Sequence, residues 1–117
     1  MILNTIEPVK YPIHTGNRGV FVGYGNAPTT YNQTTGDIIS VNSVPFFIDA
    51  VLGLAVTTDN TYIGFPAPIA TGNGQGWTIF WFSFCATVGG TPVFTPLSAG
   101  ATTIGTKLVQ LTVIGGA

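Results

Sequence analysis

Apolar and polar residues in this chain alternate or run in short blocks, each closed by Gly, Pro, Asn or Asp, a pattern of strands and turns rather than helices. The cleanest alternation lies in Lys107-Leu108-Val109-Gln110-Leu111-Thr112-Val113. It directs Val109, Leu111 and Val113 to a core and Gln110 and Thr112 outward. Trp77-Thr78-Ile79-Phe80-Trp81-Phe82-Ser83-Phe84-Cys85 differs, with Ile79 and Trp81 on one face and Phe80, Phe82 and Phe84 on the other. Both faces of that strand are apolar. Further strands are predicted over Tyr11 to His14, Gly19 to Tyr24, Asp37 to Val44, Phe46 to Thr57 and Thr61 to Phe65. In the block around Gly53, the flanking valines favour a strand over a helical turn.

Turn chemistry fills the gaps. Thr15 to Gly19 reads as a tight connection, Thr35-Gly36-Asp37 as the entry to a strand, and Thr58-Asp59-Asn60 as a hairpin tip. Thr71 to Gly76, with three glycines, reads as a flexible loop, and Val88 to Thr106, with Pro92, Pro96 and four glycines, as a long irregular connection. No internal repeat is visible. The expected fold is all-β: a compact antiparallel β-sandwich, jelly-roll-like or barrel domain of about seven short strands, with residues 1 to 117 forming one domain. Pro8 and Pro12, flanking Lys10-Tyr11, suggest that residues 1 to 12 form an extended arm reaching a neighbouring subunit.

Charge changes this picture most. Only Glu7, Lys10, Arg18, Asp37, Asp49, Asp59 and Lys107 are charged, 6% of the 117 residues, against roughly a quarter in an ordinary soluble domain. Eight Phe, four Tyr and two Trp argue against disorder. Three scattered basic residues exclude phosphate-backbone recognition. The apolar runs are too short and too interrupted for a membrane helix. No basic-then-apolar leader follows Met1, so no signal peptide is expected. Cys85 has no partner for an internal disulfide and reads as a small buried hydrophobe.

Catalytic and metal chemistry find no framework. His14 is the lone histidine, no serine sits in a nucleophile-elbow pattern, and Asp37, Asp49 and Asp59 are too widely spaced for a calcium loop. Gly72 to Gly76 lacks the Lys-Ser/Thr ending of a phosphate loop. Asn32-Gln33-Thr34 fits the N-glycosylation pattern but is taken as chance without a leader. No enzyme, cofactor or metal site is expected. Asp49, set between apolar neighbours, needs solvent, Lys107, Arg18 or another subunit as partner.

Soluble monomers seldom expose large apolar patches, and a mean hydropathy of +0.47 leaves this chain short of polar cover. Burial between subunits of a homo-oligomer, with a trimer as the favoured symmetry, resolves the shortage. The contact residues expected are Pro8, Tyr11 and Pro12 from the arm and Trp77, Trp81, Phe82 and Phe84 from the aromatic strand.

Small size, few charges, Gly/Thr/Pro-rich composition and short strands together resemble small virion proteins of tailed bacteriophages, particularly capsid decoration or cement proteins. The resemblance lies in the character of the whole chain. It implies a non-enzymatic, oligomeric subunit on the capsid surface, made in the host cytoplasm, that binds the major capsid protein or another virion protein without nucleic acid or membrane. The rival reading is a carbohydrate- or receptor-binding β-sandwich, such as a tail or fibre component, in which Tyr24, Tyr31, Tyr62 or Trp77 stacks on sugars.

Overall fold

The structure is a computed structural model. It describes residues 1–8, 18–41, 46–71, 74–88, 91–97, 100 and 103–116. Nine strands lie among them: β1 (Ile2–Pro8), β2 (Arg18–Asn26), β3 (Asp37–Ile38), β4 (Ser40–Val41), β5 (Phe47–Thr57), β6 (Tyr62–Thr71), β7 (Gly74–Val88), β8 (Thr91–Pro96) and β9 (Leu108–Gly116). A 3₁₀ turn, Thr103–Thr106, leads into β9.

All nine strands belong to one sheet. Its order β1-β2-β9-β5-β6-β7 is antiparallel throughout. Closure falls to β3 and β4, two short strands in succession around Ile39. β3 pairs antiparallel with β7 through Asp37↔Ile79 and Ile38↔Thr78. β4 pairs parallel with β1 through Ile2↔Ser40 and Leu3↔Val41. Between them the Ile39 amide donates to the Trp77 carbonyl and the Ser40 amide to the Met1 carbonyl, both at 2.9 Å. The sheet thus curls into a nearly closed barrel, which leaves few open edges. β8 flanks the far end of β7 and pairs with it alone.

Inward alternation fills the barrel. Val109, Leu111 and Val113 are buried as their spacing predicts, and with Leu3, Ala55, Ile79 and Trp81 they form the core. Each fully buried aliphatic side chain stabilises by about 1.5–3 kcal/mol. Trp81 finds room because Gly64 stands directly opposite it: a Cβ there would meet Ile79 Cγ2 at 2.2 Å and the Trp81 ring at 3.1 Å.

Several expectations are corrected. The all-β fold stands, as the barrel among the expected forms, but with nine described strands instead of about seven and one parallel pairing. Residues 2–8 are not an arm but a strand of the barrel, because Leu3 points into the core and is fully buried. Residues 9 to 12 of the expected arm, and the Tyr11 to His14 strand, lie outside the described residues. Within Val88 to Thr106, Thr91–Pro96 is a strand. Proline is tolerated there because β8 is paired on one side only.

The same reasoning extends β6 past Phe65 to Thr71. Its pairing with β5 stops at Ala55↔Gly64, so Pro66 and Pro68 sit where no β5 partner needs their missing N–H groups. Gly74, Gln75 and Gly76, expected in a loop, belong to β7.

Candidate interaction surface

The Thr58-Asp59-Asn60 tip forms as its sequence predicts. The Asn60 amide donates to the Thr57 carbonyl at 2.9 Å, and Asn60 takes a left-handed φ of 59°. Thr57 Oγ1 accepts from the Thr61 and Tyr62 amides at 3.2 and 3.0 Å and donates to Asp59 Oδ1 at 2.9 Å. Lys107 Nζ donates to Asp59 Oδ2 at 2.5 Å. This bond, ahead of those from Thr61 and Thr57, holds the Asp59 carboxyl well below the usual carboxylate range, and it raises Lys107. Lys107 is therefore the partner of Asp59, not of Asp49, which lies exposed on β5 at an irregularity of its pairing.

A second polar cluster lies inside the barrel. Asp37 is buried and takes the Met1 α-ammonium on Oδ1 and the Trp81 indole N–H on Oδ2, the latter at 3.0 Å. The ammonium also donates to the Ile38 carbonyl at 2.9 Å. Beside it, the Trp81 backbone N–H donates to the Tyr31 hydroxyl at 3.1 Å. That amide faces the gap where the edge of β7 passes from β3 to β8, so a side chain supplies the acceptor that no strand provides. Burial pushes the Tyr31 phenol up, the bond from Trp81 lowers it, and the charge of Asp37 raises it further. These groups tie the N-terminus, the β3 turn and β7 together.

Outside the barrel, the face of β5 to β8 is largely apolar. Register places Val56, Ile63 and Phe82 in one row across β5, β6 and β7, with Phe65 and Phe80 paired in the next row. Phe65 is the hub of an aromatic cluster: its ring lies edge-on to Phe82 at 5.1 Å and to Phe94 of β8 at 6.3 Å. Phe65 is 38% and Phe94 47% exposed, and Leu52 and Leu54 of β5 are exposed too. β6, β7 and β8 contain no charged residue, and β5 contains only Asp49. A hollow of about 210 Å³ opens beside the cluster, lined by Val56, Asn60, Tyr62, Ile63 and Phe94.

The expected contact residues separate in space. Phe82 lies on this face, half-buried against Phe65. Phe84 pairs in register with Phe94, although its side chain is outside the described set. Trp81 does not contact the exterior: it is 1% exposed and serves the core. Trp77 is half-buried at another cleft, of about 460 Å³, beside Ile39, Val41, Phe46 and Ile48. Its buried Nε1 has no acceptor among the described residues. Pro8 is exposed at the end of β1 opposite Phe21, whereas Tyr11 and Pro12 lie outside the described residues. Of the expected sugar-stacking residues, Tyr31 is buried and unavailable.

Phe65, Phe94, Val56 and Ile63 went unmarked in the sequence. The signal was the continuation of the Tyr62-Ile63-Gly64-Phe65 alternation into Pro66, a residue that reads as a strand end but here sits at a free edge.

Among the described residues no group of three or more His, Cys, Asp or Glu is placed to hold a metal ion, and no helix is long and apolar enough to cross a membrane. Neither a protein-family model, nor a curated protein, nor a solved structure matches the chain.

Proposed function

We propose that the chain is a non-enzymatic structural subunit of a viral particle, a decoration or cement protein of a phage head acting through protein–protein contacts. The observation that carries the assembly reading is the charge-poor, aromatic outer face of β5 to β8 on a barrel whose core is already filled. An apolar surface in that position gains free energy only when another surface covers it. The assignment to a virion rests on the likeness in size and composition to phage decoration proteins.

On this face the exposed rings, Phe65 and Phe94, are phenylalanines, which suits an apolar protein surface better than a hydroxyl-rich sugar, while Tyr24 is exposed on β2. Light scattering of the full chain over a concentration series tests the reading. A mass that is a multiple of 12.2 kDa, with no signal on a glycan array, is the expected result. A monomer at every concentration that binds glycans overturns it in favour of the carbohydrate-binding module.

A further inference from the structure

We propose that the β5 to β8 face pairs with the same face of a second copy about a twofold axis, Phe65 of each copy entering the hollow of the other. This deepens the assembly reading and rests on it. Three observations select a second copy as the occupant.

The first is size. A cavity of about 150 Å³ accepts a benzene ring, so the hollow of about 210 Å³, lined by Val56, Tyr62, Ile63 and Phe94 with Asn60 as its polar member, has room for one phenylalanine side chain.

The second is position. The partly exposed Phe65 ring and the hollow lie on one face, since Phe65 is absent from the lining of the hollow yet packs edge-on against Phe94, which lines it. A ring and a receptor side by side on one surface meet the requirement of an isologous contact, in which each copy offers both halves. A twofold pair thus replaces the trimer expected from the sequence.

The third is charge. β6, β7 and β8 carry none and β5 carries Asp49 alone, so pairing the aromatic part of the face with itself brings no like charges together. A charged partner would instead lose its hydration without a counter-charge in return. The edge-on packing of Phe65 between Phe82 and Phe94 also holds its ring in place before contact, which lowers the ordering cost of association.

The test uses the full chain in sedimentation velocity, with Phe65→Glu on the face and Phe47→Glu as a control. Phe47 is 61% exposed and lines the other cleft, beside Trp77. Wild type and Phe47→Glu are expected to dimerise alike, and Phe65→Glu to weaken dimerisation by about 30-fold or more, as for a central aromatic anchor. Circular dichroism checks that each variant keeps its β fold. Should Phe65→Glu fail to fold, benzoylphenylalanine at position 65 replaces it. In mixed isotope-labelled and unlabelled protein, photolysis is expected to link that residue to the other copy at Val56, Tyr62, Ile63 or Phe94.

An oligomer that survives Phe65→Glu, or one whose cross-links fall elsewhere, overturns this face and leaves the assembly reading standing. A wild type that stays monomeric throughout overturns both.

Discussion

Tyr31 shows how one side chain completes a sheet. Its hydroxyl fills a single missing position on the β7 edge. Tyr31→Phe leaves the Trp81 N–H buried without an acceptor and is expected to cost about 1–3 kcal/mol in denaturant unfolding. The phenol also sets an alkaline limit. Its folded pKa is raised above the ordinary 10.0, so the fold favours the protonated form. That contribution is fully present below about pH 10 and is lost as pH climbs from there through the folded value. Melting curves between pH 8 and 11 should show a steeper alkaline loss in wild type than in Tyr31→Phe, and equal slopes would refute the assignment. Gly64 is the packing counterpart. Gly64→Ala drives a methyl into Ile79 and Trp81 and is expected to destabilise by about 1–3 kcal/mol through overpacking.

At the scale of elements, the β5–β6 hairpin was legible because its tip combines a hydroxyl, a carboxylate and an Asn suited to left-handed φ. The alternation of β9 and the two apolar faces of β7 were legible for the same local reason. β1 and β8 were not, because Pro8, Pro92 and Pro96 argue against strand unless one knows that a neighbour is missing on one side. The apolar face was legible only as the aromatic run of β7. Its other members come from strands brought alongside by register, which no local pattern specifies.

The hairpin carries its own pH test. Asp59 has a depressed folded pKa, so its contribution is present above the ordinary value of about 3.8 and is lost as pH falls below it toward the folded value. Because Lys107 is the largest cause, Lys107→Gln should return the Asp59 carboxyl toward its ordinary titration, read by carboxyl carbon NMR. An unchanged midpoint would assign the shift to Thr57 and Thr61 instead. The pair is exposed, so little change in melting temperature is expected.

For the molecule as a whole, closure of the barrel depends on its shortest elements. Most long strands share long ladders, such as the nine residue pairs joining β2 to β9, and β5 and β6, with two pairs, are also joined by their hairpin turn. The seam between β7 and β1 is bridged by two-residue strands, the bonds from the Ile39 and Ser40 amides, and the Asp37 carboxylate. Stability is therefore uneven around the ring, and the seam is where local opening costs least. Amide exchange should be faster at Ile39 and Ser40 than at Val109 and Val113, whose strand is flanked by β2 and β5. Asp37→Asn sharpens the test. It keeps the shape of the side chain but removes the charge that answers the buried Met1 ammonium, a loss of about 3–5 kcal/mol for a broken buried pair. If Asp37 locks the seam, the variant accelerates exchange at Ile39 and Ser40 by more than it does at Val109 and Val113. Uniform acceleration would mean that the barrel opens as one unit and that Asp37 contributes only to its global stability.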